Sequence, residues 1–336
     1  MSALATRTAD QQDPENPPDV PFTDYLRIIG KGRRGSRSLT RAEARVALGK
    51  VLDGQCCDVQ IGAFFVLIRV REETPDEAAG FTDAVRARLR VPDGTRPDID
   101  WGCYAGKRRH LPWYLLAVKA LAQQGVRVLL HGQVGPTPTR LYTEHALPAL
   151  GIPAASSLAE AQSQLEHGHL SYVPLQAFSP TLSSLLTLQQ TLGLRVPLHT
   201  VARMLNPLSA PLSVHGVFHR NFDVIHQDTA VLDGAPAVLA FRGEGGEAEV
   251  RPERPVVLRC ARAGVASEIT LPATGRWDRG AIDAPDTLQR VWDGAPHAYA
   301  EQAVIATLAA VRHGQTGDDA DTVLDWARTV WHSRNA

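Results

Sequence analysis

The sequence predicts an α/β protein, with a small all-helical domain leading a larger domain built on a central, mostly parallel sheet flanked by helices. Three observations carry this. Up to about Arg90 every periodic segment reads as helix. Beyond it, short apolar runs alternate with longer helical stretches, as strands do when crossover helices join them. The third is size: 336 residues, 44% hydrophobic and 21% charged, match about two folded units and not a disordered chain.

Residues 1–21 are rich in Pro, Gln and Asp and nearly free of large apolar groups, which predicts a solvated tail. The helical domain is expected over 22–90. Thr40 with Glu43 forms a capping box ahead of Ala44, Ala47, Leu48, Val51 and Leu52, and Gly54 marks the stop. Asp58 is the expected cap of the next helix, and 60–70, apolar nearly all round, is expected to be buried. Thr74-Pro75-Asp76-Glu77 places a cap, a proline at the first helical position and an acid at the third.

The α/β domain is expected over 91–336. Its strand candidates are Val126–Leu130, Val214–Phe218, Ala237–Phe241 and Val256–Cys260. Its helix candidates are 113–124, 142–150, 157–166, 221–231, 299–312 and 320–332. Residues 172–192 read as one long helical segment without a strand, assigned to completing the N-terminal helical domain. Arg242–Arg254, rich in Gly, Glu and Arg, reads as a mobile loop.

Four cysteines show no metal-ligand spacing, and Cys56 and Cys57 are adjacent, so a reduced, cytoplasmic setting is expected. No run of 18 apolar residues exists, and the acidic N-terminus is unlike a signal peptide, so no membrane partner is expected. The net charge of −1 points to no partner. Its distribution does. Residues 101–143 contain no acid while carrying Lys107, Arg108, Arg109, Lys119, Arg127 and Arg140. Residues 167–222 contain none across 56 positions, with Arg195, Arg203, Arg220 and five histidines, and 25–42 carries Lys31, Arg33, Arg34 and Arg37 without an acid. Burial explains 182–194. It does not explain the glycine-broken loops 30–37 and 106–109, which suit an anionic ligand. Trp101, Tyr104, Trp113 and Tyr114 interleave with the second loop. Trp101 and Tyr104, read as loop residues, are candidates to stack on unpaired bases, whereas Trp113 and Tyr114 fit a helix packing inward. No His is spaced for a metal, no Ser sits in a nucleophile elbow, and Gly243–Gly246 lacks the Lys-Ser/Thr of a phosphate loop. No catalytic residue and no metal ligand is assigned.

Phe178-Ser179-Pro180, Leu192-Gly193-Leu194-Arg195 and the run His199–Leu208, in that order, resemble the Phe-His-Pro, Leu-Gly-Ile-Arg and Arg-Thr-Ile-Phe-Asn-Leu-Leu-Gly-Pro-Leu of the anthranilate phosphoribosyltransferases, of glycosyltransferase family 3. Leu130-His131-Gly132-Gln133 with Ala149-Leu150-Gly151, Gln60–Phe64, Glu73–Glu77 and Ala309–Gly314 fall in the family's order over 22–336. The departures matter as much. The family's Gly-Thr-Gly-Gly-Asp loop, which holds phosphoribosyl pyrophosphate, falls on Asp100–Gly106 and reads Asp-Trp-Gly-Cys-Tyr-Ala-Gly. Its phosphate-binding Lys is Leu130, its Ser-Ser-Lys-Ser-Gly-Ser loop is Pro136–Arg140, and its Asp-Glu metal pair falls on or near Glu247-Ala248. His199 stands where the anthranilate-contacting Arg stands.

These departures are similar to the YbiB-like paralogues, which keep the transferase fold and are described as sequence-independent nucleic-acid-binding homodimers. That resemblance implies nucleic acid as partner, bound through Lys31, Arg33, Arg34, Arg37, Trp101, Tyr104, Lys107, Arg108, Arg109, Arg140, His199 and Arg203. It also implies self-association through the helical domain and no cofactor. The alternative is a phosphoribosyltransferase acting on an aromatic or base substrate, with Mg²⁺; a small-anion binder without chemistry is a third.

Overall fold

A computed structural model describes residues 20–32, 34–278, 280 and 283–335. The expected tail therefore lies outside the described residues apart from Val20 and Pro21, and so does Arg33. Four helices open the chain: α1 (Phe22–Gly30), α2 (Arg41–Leu52), α3 (Asp58–Arg71) and α4 (Pro75–Arg86). Two of them start on Thr–Glu capping boxes. Thr40 accepts from the Glu43 N–H while Glu43 reaches back to the Thr40 N–H, and Thr74 and Glu77 do the same. Each such cap contributes about 1 kcal/mol. The cap of α3 is Cys57, not Asp58, which is its first residue. Nor is α3 buried all round: Val59 and Val70 are 81% and 74% exposed.

The sheet order is β3-β2-β1-β4-β5-β6-β7, parallel from β3 to β5 and antiparallel at β6 and β7. The chain runs β1 (Ile99–Cys103), α5 (Tyr114–Gln123), β2 (Val128–Gly132), α6 (Thr143–Ala146) with a 3₁₀ turn to Leu150, α7 (Leu158–Gly168) and β3 (Leu170–Pro174). Three short helices follow, α8 (Leu175–Phe178), α9 (Pro180–Leu186) and α10 (Leu188–Leu192), then α11 (Leu198–Met204). β4 (Leu212–Val217), α12 (Phe222–Leu232), β5 (Ala237–Arg242), β6 (Val256–Arg262) and β7 (Val265–Leu271) complete the sheet. α13 (Asp286–Trp292), α14 (Ala298–Thr316) and α15 (Ala320–Ser333) end the chain.

Residues 172–192 are thus not one helical segment. Their start is the edge strand β3, paired with β2 from Val128↔Leu170 onward. The remainder packs with the N-terminal helices: Leu175, Leu182 and Leu186, joined by Leu198 and Val201 of α11, share one buried cluster with Tyr25, Phe64, Phe65 and Phe81. The larger cluster lies between the sheet and helices α5, α14 and α15.

Two arginines join the units. Arg41 on α2 pairs with Asp83 at 2.7 Å and with Asp233, just after α12, at 2.8 Å. Arg86 on α4 pairs with Asp233 at 3.2 Å and donates to the Met204 and Leu205 carbonyls. No helix among the described residues is long and apolar enough to cross a membrane.

Candidate functional site

In an open parallel sheet, ligands gather beyond the strand C-termini where the strand order reverses direction. Here that point lies between β1 and β4, which are neighbours in space though β2 and β3 come between them in the chain. Three segments converge on it: Tyr104–Gly106 after β1, Phe218–Asn221 after β4, and 243–249 after β5. The last is not a mobile loop. Glu244, Gly246, Glu247, Ala248, Glu249 and Val250 are all buried. Glycine makes that possible: a Cβ on Gly216 would lie 2.2 Å from the Ala248 nitrogen, and one on Gly243 would lie 1.7 Å from the Glu247 carbonyl oxygen.

The Glu247 carboxylate ends against the β1 loop. It accepts from the backbone N–H groups of Ala105 at 2.8 Å and Gly106 at 2.5 Å. Burial pushes the Glu247 carboxyl up, with Arg203, the two N–H bonds and Lys107 pulling the other way. Arg140 closes the same loop from outside, donating to the carbonyls of Ala105, Gly106 and Gly245 at 2.9, 2.9 and 3.2 Å. The loop's donors and acceptors are therefore satisfied by the protein itself.

Several residues expected to meet a ligand are buried instead. Trp101 is in strand β1, not a loop; it is fully buried and stacks on Tyr114 with centroids 5.9 Å apart. Strand pairing on both sides fixes it there, so stacking on a base is excluded in this conformation. Tyr104 is 5% exposed, and its O–H donates to His131 Nδ1 at 2.7 Å. His131 Nε2 lies 3.3 Å from the Asp100 carboxylate, so the tautomer protonated at Nε2 satisfies both bonds. Lys107 is fully buried between Glu244 and Glu249, the latter at 2.5 Å. One ammonium cannot balance two carboxylates at full strength, and the split shows it: Glu249 is pushed up to about 7, chiefly by burial, while Glu244 stays below the ordinary range. Arg203, 6% exposed, donates to the Gly216 carbonyl at 3.0 Å and to the His199 carbonyl at 2.6 Å, and its guanidinium lies over the Tyr104 ring. These are internal ties, and Arg203 also forms part of the wall of a small cavity beside α11, with His199.

Other expected cations do face solvent. Lys31, Arg34, Arg37, Arg108 and Arg109 are exposed, although Arg37 is engaged with Glu43 through two bonds of 2.6 Å. No hydrogen bond or ion pair among the described residues joins loop 31–37 to loop 106–109. His199 is half-buried, and burial with Arg195 and Arg203 pushes its pKa down to about 3, so it is a neutral ring at pH 7.

The structure also brings forward two cations that the sequence reading did not place in the site. Arg69 and Arg195 line a small cavity between α3, α11 and the β4 loop, with Glu73, Phe218, His219 and Phe222 among its walls. Neither makes a hydrogen bond or ion pair with a described residue, though Arg69 lies 5.7 Å over the Phe222 ring. Burial and the charges of Arg203 and Arg140 push Arg195 down to about 10. The sequence signals for Arg195 are its place in the acid-free stretch 167–222 and at the end of Leu192-Gly193-Leu194-Arg195. At the β1 loop the Glu247 carboxylate spends Oε1 on two N–H groups and leaves Oε2 buried without a partner. The next position is Ala248, and the described residues hold no group of three His, Cys, Asp or Glu arranged for a metal.

Known proteins bear the same architecture. Residues 24–89 match the helical bundle domain of the glycosyl transferase family. The YbiB protein of Escherichia coli K12 is 28% identical over 239 residues, 69% of this chain and 74% of that protein. An anthranilate phosphoribosyltransferase of Methylobacterium radiotolerans is 29% identical over 283 residues, 81% of this chain and 78% of the enzyme. Among solved structures, the anthranilate phosphoribosyltransferase of Thermus thermophilus aligns with a TM-score of 0.72 at 20% identity, covering 89% of this chain and 92% of that one. The Saccharomyces cerevisiae enzyme, solved with PRPP and Mg, aligns with a TM-score of 0.75 at 15% identity, covering 94% of each. With its helical bundle and its mostly parallel seven-stranded sheet, the chain has the fold of the anthranilate phosphoribosyltransferases and is similar in sequence both to them and to YbiB.

Proposed function

We propose that the chain binds nucleic acid without sequence preference, through exposed cations on a phosphoribosyltransferase scaffold. The observation that carries this reading is the Glu247 carboxylate on the Ala105 and Gly106 N–H groups. By the resemblance this loop is where the transferases hold a pyrophosphate, and an internal carboxylate competes for the same donors. What remains for a polyanion is Lys31, Arg34, Arg108 and Arg109, which are exposed and carry no counter-carboxylate among the described residues. Such cations recognise phosphate, which carries no sequence information. A second copy of the chain is the proposed partner for the stripe Val59, Ala63, Val66 and Val70 on α3, apolar at helical spacing and largely exposed. Four free cysteines fit a reducing, cytoplasmic setting.

A second reading, phosphoribosyl transfer to an aromatic acceptor, has the more direct support from similarity, since the curated transferases match along most of the chain. The cavity favours it too, because Arg69 and Arg195 beside Phe218 and Phe222 suit a ring bearing a carboxylate. One pair of measurements separates the two. Under the first reading, a labelled single-stranded oligonucleotide binds at low salt, with log affinity falling against log salt by about 0.7 per phosphate contacted. Phosphoribosyl transfer to anthranilate is then absent. Turnover without salt-dependent binding reverses the order of the readings.

A further inference from the structure

A recess of about 350 Å³ lies beside the start of α12 and strand β6, and four arginines line it: Arg220, Arg242, Arg254 and Arg259. Only Arg259 is balanced, by Asp223 at 2.9 Å and Glu268 at 2.5 Å. Arg220, Arg242 and Arg254 make no side-chain hydrogen bond or ion pair with any described residue. The nearby Glu253 carboxylate accepts from Arg251 through Oε1 and leaves Oε2 buried without a partner, so its charge offsets Arg254 in part without bonding it. Arg242 Nε is buried without an acceptor, a donor that a folded protein rarely leaves unmet. Burial, together with the charges of Arg251 and Arg242, holds the Arg254 guanidinium below its ordinary range.

The helix beside them adds to this. α12 is 11 residues long, and Asn221 caps it at φ 70° with no side-chain hydrogen bond to its first turn. Asn221, Asp223 and Val224 line the same recess. Uncapped N–H groups and the positive end of a helix favour an anion. Three guanidinium forks ask for more acceptor oxygens than one carboxylate offers, and a tetrahedral phosphoryl group offers three.

We propose that this recess is a phosphoryl-binding site, separate from the cleft lined by Arg69 and Arg195, in which Arg220, Arg242 and Arg254 hold the oxygens of a phosphate group. The ligand is a phosphate ester or diphosphate, either free or within a nucleic-acid backbone. The site stands independently of the nucleic-acid reading above.

The test is calorimetric titration of the full chain with inorganic pyrophosphate. One site per chain is expected, weakened about tenfold or more in Arg220→Ala/Arg254→Ala, since two charge-assisted contacts are removed. Arg195→Ala, in the other cleft, is expected to leave that affinity unchanged. Thermal melts guard against misfolding, and Arg254→Lys, which keeps the charge, should lose less than Arg254→Ala. No binding by the wild type, equal binding by the double variant, or loss in Arg195→Ala alone overturns the proposal. The same double variant then identifies the source. A salt slope for oligonucleotide binding reduced by one to two contacts assigns the phosphate to nucleic acid, and an unchanged slope assigns it to a free phosphate compound.

Discussion

Glu247 accepts the backbone N–H of Gly106 at 2.5 Å, across 141 positions of sequence, and shares the same oxygen with Ala105. One side chain thereby supplies from within what the same loop takes from a ligand in the transferases that this chain resembles. The carboxylate is both a structural brace and a competitor for any anion that approaches the loop.

Removing the brace should expose the competition. Glu247→Ala leaves two buried N–H groups unpaired, a cost of about 1–3 kcal/mol each. The variant should melt lower than wild type in phosphate-free buffer. Added phosphate should raise its melting temperature more than it raises that of the wild type. Equal shifts in the two proteins would show that the freed donors attract no anion.

Trp101 and the pair Arg108 and Arg109 should separate cleanly in their effects. Trp101→Ala excavates the core beneath Tyr114 and should cost about 3–5 kcal/mol in urea denaturation, through packing alone. Arg108→Ala/Arg109→Ala should barely change stability, yet flatten the salt dependence of oligonucleotide binding by about 1.4 in slope if both meet phosphates. A stable Trp101→Ala protein with specifically weakened single-strand binding would contradict the buried placement of this ring.

The contrast between those variants marks where sequence reading stops. Capping boxes at Thr40 and Thr74 are local chemistry, and the helices they start are legible from four residues each. The alternation of strands and helices is legible as well, because burial imposes a period. Trp101 is not, because a tryptophan beside a basic loop has one composition whether it faces solvent or core. Lys107 fails for a related reason. Its partners Glu244 and Glu249 lie more than 130 positions away, in a segment whose Gly and Glu content imitates a loop. The strand β3 is hidden by its own brevity and by the helical run that follows it.

Stability should carry a signature of Glu249. Its folded carboxyl is raised to about 7, well above its ordinary value, so the folded state holds a proton that the unfolded chain gives up. A raised carboxylic acid stabilises at low pH and loses that contribution as pH rises toward 7. The stability of Glu249→Gln relative to wild type should therefore climb between about pH 4.5 and 7. Chemical denaturation at three pH values reads this directly, and a flat or falling difference refutes the assignment.

His199 should show the opposite slope. Its folded pKa is near 3, so between about 3 and 6.5 the unfolded chain binds a proton that the folded chain refuses. Wild-type stability thus loses ground as pH falls below 6.5, and His199→Asn should be relatively more stable at pH 5 than at pH 8. The same neutrality means that anion binding should gain nothing from His199 on mild acidification. A rise in affinity from pH 7.5 to 6 that disappears in His199→Asn would overturn it.

Asp233, just after α12, takes both Arg41 and Arg86, so one carboxylate shared by two guanidiniums ties the helical unit to the α/β unit. An enzyme that encloses its reactants must swing open on every cycle to let product leave. Here each opening would pull both guanidiniums away from that one carboxylate. The frame spaces the loops that carry the surface arginines before any ligand arrives, so the freedom left to lose when an anion meets them is that of the unpaired side chains.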